Sequence, residues 1–137
     1  MTTDDELVAR AREACDRAYA PYSGYDVGAA LRTRDGTVFR GCNVEMVTFT
    51  NTIHAESGAL GAAVAAGHRE FDAVAVSSAE RDGVTPCGLC RQTLAELCDD
   101  DLRVLCDVGD GIEEWTLGEL LPGAMSGDEV PTDEDSE

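Results

Sequence analysis

Two short segments far apart in the chain, His54-Ala55-Glu56 and Pro86-Cys87-Gly88-Leu89-Cys90, constrain its fold more than any other feature. One imidazole and two thiols are a donor set that zinc, a tetrahedral and borderline-soft cation, takes from proteins. If the two segments share an ion, the chain between them must bring both to one point. Cys87 and Cys90 lie three apart at an expected helix start, so both sulfurs face one side. Backbone N–H groups and the helix dipole at that end favour thiolates. His54 opens another expected helix and supplies the third ligand from alongside. Three protein ligands leave one tetrahedral position for water, as in a catalytic rather than a closed structural site. Glu56, two residues beyond His54, falls near the ion without ligating it and is the candidate proton carrier.

Hydrophobic periodicity supplies the elements between these segments. Residues 4–19 read as an amphipathic helix with Leu7, Val8, Ala11, Ala14, Cys15 and Ala18 on one stripe, opened by a Thr3/Glu6 capping box. Residues 27–34 and 37–44 read as two strands joined by a tight Asp35-Gly36 turn. After a polar stretch at 48–52, residues 54–66 form a helix of small side chains, closed by Gly67 and suited to very close packing. Residues 71–77 alternate like a buried strand. Pro86 precedes a third helix over 87–98. Strands follow at 102–106 and, as an edge, at 112–116; Thr116-Leu117-Gly118-Glu119 starts a short last helix. This order implies an α/β fold: three layers, α/β/α, around a central five-stranded mixed sheet. Residues 1–125 form the catalytic domain, and residues 126–137 are an acidic tail expected to be disordered.

Composition narrows the partners. Of 137 residues, 28 are acidic and 10 basic, a formal net charge of -18, and every base is arginine. Such a surface repels phosphate backbones, so a nucleic-acid partner is disfavoured. The acids are scattered over the whole chain, which favours adaptation to a cytoplasm of molar salt over a docking surface for a cationic partner. No apolar run approaches the ~20 residues of a membrane span, and the acidic amino terminus lacks a secretory h-region. The expected location is the cytoplasm. There the six cysteines stay reduced; only Cys87 and Cys90 have ligand spacing, and Cys15, Cys42, Cys98 and Cys106 read as small hydrophobes. A closed zinc site completed by Cys42 or His68 is the competing structural reading.

The His-x-Glu and Pro-Cys-x-x-Cys pair resembles the signature of the zinc deaminases. Ala20-Pro21-Tyr22-Ser23-Gly24-Tyr25, Val27-Gly28-Ala29-Ala30-Leu31, Gly41-Cys42-Asn43-Val44-Glu45, Pro86 to Gln92 and Glu119-Leu120-Leu121-Pro122 extend the resemblance, in order, to the small homotetrameric cytidine deaminases. The resemblance implies one zinc ion per subunit, held by His54, Cys87 and Cys90, with Glu56 as proton shuttle. It implies that Asn43 and Glu45 bind the ribose hydroxyls, that Tyr25 stacks on the pyrimidine, and that the Ala55 N–H meets the ring carbonyl. Arg91 and Gln92 are expected to donate to the cysteine sulfurs. The implied reaction is hydrolytic deamination of free cytidine and deoxycytidine, a step of pyrimidine salvage, in a homo-oligomer expected to be a tetramer.

The sequence departs from that family in two places. Small tetrameric members commonly use three cysteines with Arg after the glutamate, where this chain has His54 and Ser57. Two thiolates and a neutral imidazole leave zinc formally neutral, so no guanidinium is needed beside it. The family's late aromatic corresponds to Met125. A nucleoside-analogue deaminase of the blasticidin type is the runner-up, and a non-catalytic zinc-stabilised binding module is the reading from another class. Arg32, Arg34 and Arg40, candidates for a nucleotide phosphate, read by alternation as solvent-face strand residues.

Overall fold

One strand buried along almost its whole length fixes the architecture. β1 (Val27–Thr33) lies between β2 (Val38–Cys42) and β3 (Phe71–Ser78), antiparallel to both. β4 (Arg103–Asp107) runs parallel to β3, and β5 (Ile112–Thr116) closes the far edge antiparallel to β4. The five-stranded sheet has the order β2-β1-β3-β4-β5, mixed as expected. This computed structural model describes residues 2–80 and 83–130. Gly127–Glu129 form a single 3-10 turn, and the remainder of the expected tail, 131–137, lies outside the described residues.

Alternation along the inner strands sorts side chains to two cores. Leu31, Val74, Val76 and Val104 face α2 (Ala55–Ala65) and α3 (Gly88–Ala95), meeting Ala59, Ala63 and Leu94. Ala30, Ala73, Ala75 and Leu105 face α1 (Asp4–Cys15), meeting Leu7, Val8 and Ala11. Each fully buried Leu or Val contributes about 1.5–3 kcal/mol. Beneath α1 and α2 the strands are smoothest where a helix backbone must come closest. A Cβ on Gly28 would sit 2.1 Å from the Ala11 carbonyl oxygen, and one on Gly41 2.2 Å from that of Ala55. The close packing expected from the small-residue helix is therefore helix backbone on strand backbone.

Polar ties hold α1 at both ends. The Thr3 hydroxyl accepts from the Glu6 N–H, one arm of the expected capping box. Arg103 bridges Asp4 at the helix start and Glu114 on β5. Arg12 grips Asp107 through two 2.6 Å hydrogen bonds, and Ser77 donates to the same carboxylate. The Arg12 hydrogen bonds, helped by the Gly109 N–H and Ser77, lower the Asp107 pKa to about 2. A depressed carboxylate stabilises the fold above its ordinary pKa, and that contribution fades as pH falls toward 2.

Three expectations are corrected. α1 stops at Cys15 instead of continuing to residue 19, because the Tyr19 N–H donates to the Asn43 carbonyl and the Tyr19 carbonyl accepts from the Glu45 N–H. The apolar period runs on through Ala18, although the Arg17 and Ala18 N–H groups already make tighter turns onto Ala14 and Cys15. α3 begins at Gly88 with Cys87 as its N-cap and ends at Ala95 instead of running over 87–98. Arg32 is buried, not solvent-facing: α1 covers that face of β1, and the guanidinium donates to Asp72 and to the Thr2 carbonyl.

Candidate active site

The sheet brings two helix starts together at one end. His54 is the N-cap residue of α2 and Cys87 that of α3, and neither uses its side chain to cap its helix. Both side chains are therefore free to face the gap between the two helices. His54 Nδ1 lies 3.4 Å from Cys87 Sγ and 3.3 Å from Cys90 Sγ. The three ligand atoms fall within 4.8 Å of one another, the one such cluster among the described residues. Zinc bonds of about 2.3 Å to sulfur and about 2.0 Å to nitrogen give a tetrahedral S···N edge of about 3.5 Å, so the donor set fits the ion by size and chemistry. The expected alternatives do not close it. Cys42 directs its sulfur to the Arg17 carbonyl, and His68 packs on Phe39 with ring centroids 5.2 Å apart.

Electrostatics at the cluster run against the simplest expectation from the helix end. Burial, with the neighbouring Glu56 and Cys87, pushes the Cys90 thiol well up. Without a cation, desolvation outweighs the dipole; a bound divalent ion inverts this order and draws off the proton. Burial raises Cys98 to about 12 and Cys106 to about 11. With Cys15, also buried, they serve as packing, whereas Cys42 is only half-buried.

Glu56, in the first turn of α2, is 5% exposed. Burial raises its pKa, while its own backbone N–H, the Cys90 thiol and His54 pull the other way. A carboxyl group raised by burial and set beside the candidate metal ligands is suited to taking up and releasing a proton.

A cavity of about 280 Å³ opens in front of these groups. Its wall includes Tyr25, Asn43, Glu45, Ala55 and Glu56, so every expected substrate-contacting residue reaches one space with His54 and Cys87. Asn43 and Glu45 lie just past β2 and are both buried. Asn43 donates to the Tyr25 carbonyl at 2.7 Å and accepts from the Val27 N–H at 2.9 Å, continuing the ladder of β1 with its side chain. As the first residue of α2, Ala55 has a backbone N–H without an intrahelical acceptor.

Arg91 and Gln92 are placed differently from the expectation. Arg91 donates to the carbonyls of Pro86 and Leu120, at 2.7 and 2.8 Å, and Gln92 donates to that of Met125. Arg91 also donates to the Thr85 hydroxyl, and none of these acceptors is a sulfur, so the two residues anchor the segments around the cysteine turn. One helical turn of separation lets Arg91 fold back on residue 86, which spacing alone did not reveal. Sequence reasoning also passed over Ser23, Thr52 and Thr85 on the cavity wall. Ser23 stood inside a quoted segment, and the missed signal was a hydroxyl two residues before the expected stacking aromatic.

Residues 1–106 match the family described as cytidine and deoxycytidylate deaminase zinc-binding region. A cytidine deaminase of Sporosarcina psychrophila is 42% identical over 127 residues, covering 92% of this chain and 93% of the relative. The crystal structure of a cytidine deaminase from Burkholderia pseudomallei superposes with a TM-score of 0.86 at 43% identity, over 90% of this chain and 99% of that one. A blasticidin-S deaminase of Bacillus cereus is more distant, 33% identical over 127 residues, with 87% and 89% covered.

Proposed function

Because the chain belongs to the zinc-binding cytidine and deoxycytidylate deaminase family, we propose that it converts free cytidine and deoxycytidine, with water, to uridine and deoxyuridine and ammonia. The observation that carries this reading is the contact of His54 Nδ1 with both cysteine sulfurs beside a buried carboxylate, in a cavity of small-molecule size. When bound, zinc lowers the pKa of a water and so supplies a nucleophile at neutral pH. His54, Cys87 and Cys90 hold the ion. The Glu56 carboxylate takes the proton that the attacking water gives up and delivers it to the ring nitrogen, then carries the second proton, the one left on the attacking oxygen, to the departing amine as the carbonyl forms. Asn43 and Glu45 bind the sugar hydroxyls, Tyr25 covers the ring face, and the Ala55 N–H holds the ring carbonyl. Arg91 and Gln92 keep the cysteine turn in place.

Loss of cytidine absorbance, followed with and without a chelator, tests the assignment directly. Turnover is expected with about one zinc per chain and is expected to vanish on chelation and return with zinc. Deoxycytidine, its monophosphate and a blasticidin-type analogue complete the panel. A preference for the analogue would move the assignment to the runner-up, and zinc content without turnover on any of them would leave a binding module.

The finer reading is a halophilic, cytoplasmic enzyme of pyrimidine salvage that works as a homotetramer. Among the described residues, no helix is long and apolar enough to cross a membrane. Exposed apolar side chains support assembly: Tyr22 and Phe49 meet edge to face, and Val47, Leu89 and Met125 are also exposed. Several arginines, including Arg12, Arg32, Arg40 and Arg103, are engaged with acids, so the excess negative charge is borne by surface carboxylates. At ~0.01 M salt the Debye length is about 30 Å and these charges repel across the molecule; at ~1 M it is about 3 Å. Sedimentation and melting at the two salt levels are expected to show a stable tetramer at high salt, with dissociation and a lower Tm at low salt. An unchanged monomer in both would remove the oligomer and the salt adaptation together.

A further inference from the structure

Glu45 does not wait freely for a sugar. Its Oε1 accepts from the backbone N–H groups of Tyr22 and Ser23, at 3.0 and 3.1 Å, and its Oε2 accepts from the Ser23 hydroxyl. The Ser23 oxygen in turn accepts from the Tyr25 N–H at 3.0 Å. An ionised carboxylate offers about four lone-pair sites. Three are taken here, and the fourth is on Oε2, the oxygen that Ser23 holds. The side chain of Asn43 is occupied in a similar way, with one donor to the Tyr25 carbonyl and its oxygen on the Val27 N–H. One donor and one lone pair are left over. The two residues assigned to the sugar are thus built into the backbone of the segment that carries the stacking ring.

We propose that Ser23 is a positioning residue for substrate recognition: its hydroxyl fixes the rotamer of Glu45, directs the remaining lone pair of Oε2 at a sugar hydroxyl, and ties that carboxylate to the backbone of Tyr25. This rests on the deaminase reading above and adds a residue which that reading does not use. Hydrogen bonding from Ser23 and Tyr22 also keeps the Glu45 carboxyl below its ordinary pKa, so it stays an acceptor for the sugar. Two consequences follow from the geometry. Losing the hydroxyl leaves Glu45 with its two backbone donors but frees Oε2 to wander, which weakens binding to a hydroxylated sugar. The chemistry at His54, Cys87, Cys90 and Glu56 is untouched, because Ser23 is hydrogen-bonded to Glu45 and Tyr25 and to none of them.

The test crosses enzyme variants with substrates. Wild type, Ser23→Ala and Ser23→Thr are each assayed on cytidine and on 2′,3′-dideoxycytidine, which lacks the 2′ and 3′ hydroxyls and keeps only the 5′. Ser23→Ala is expected to lose about tenfold in kcat/KM on cytidine, carried by KM with kcat within about twofold. On dideoxycytidine the same change is expected to cost less than about threefold, since the two ring hydroxyls that Glu45 would hold are gone. Ser23→Thr keeps the hydroxyl and is expected to recover most of the loss on cytidine. Equal losses on the two substrates, or a loss in kcat with KM unchanged, would overturn the proposal. A melting curve checks that each variant is folded; if Ser23→Ala does not fold, the Ser23→Thr ratio between substrates decides, and it must match wild type. Wild-type enzyme inactive on cytidine would instead refute the deaminase reading, which separates the two failures.

Discussion

Glu56→Gln is expected to keep about one zinc per chain and to lose turnover on cytidine by about a thousandfold or more. The amide has the shape of the carboxyl group it replaces, so His54 at the start of α2 is not disturbed. It cannot accept the proton that the attacking water must shed, nor return one to the leaving amine. Glu56 is almost fully enclosed, and, the metal ligands apart, no second exposed acid or base among the described residues stands beside it to take over the transfer. Removing a desolvated charge is expected to leave the melting temperature no lower than that of the parent. Zinc content by elemental analysis, together with steady-state rates, checks both halves. Wild-type turnover in this variant would mean that another group moves the proton.

The second large effect is structural in origin and functional in outcome. Gly41→Ala puts a methyl group 2.2 Å from the Ala55 carbonyl oxygen and 2.5 Å from the Ala59 nitrogen, both in the backbone of α2. Backbone cannot swing away as a flexible side chain can, so the helix must lift or β2 must bend. Overpacking of this kind costs on the order of 3 kcal/mol, roughly 10 °C in Tm for a chain of this size. Because α2 carries His54 and Glu56, the shift is also expected to weaken zinc retention and activity beyond the change in folded fraction. Gly61→Ala on the same helix is the control. Its new methyl meets nothing within 4 Å, and it is expected to be neutral or to stabilise by about 0.5–1 kcal/mol. Calorimetry of the two variants, with zinc measured on the folded fraction, distinguishes a displaced helix from a general intolerance of larger side chains.

Gly41 marks the boundary between what could be read in advance and what could not. Its place in Gly41-Cys42-Asn43-Val44-Glu45 was visible, and so was the small-residue character of the helix after it. That the two meet backbone to backbone depends on which face of the sheet α2 covers. The same holds for Arg32. Alternation placed it opposite Leu31, correctly, but exposure depends on whether a helix covers that face, and α1 does. The expected length of α1 failed for a related reason: the stripe continued to Ala18, while pairing of Tyr19 with Asn43 and Glu45 ended the helix earlier.

The sequence by itself pointed to the candidate site. Zinc ligation and proton transfer demand particular side chains, and His54, Glu56, Cys87 and Cys90 stand at spacings that only helix starts make productive. It also determined the strands along the chain, because burial on one or two faces leaves a period that local reading detects; their order in the sheet came from the structure. Only the tertiary structure decided who holds whom: Arg91 on Pro86 and Leu120 instead of on sulfur, Asn43 on the Tyr25 backbone, Ser23 on Glu45. Hydrogen-bond partners distant along the chain are set by how the layers pack. A hydroxyl or guanidinium carries no mark of its acceptor until the fold brings one within about 3 Å.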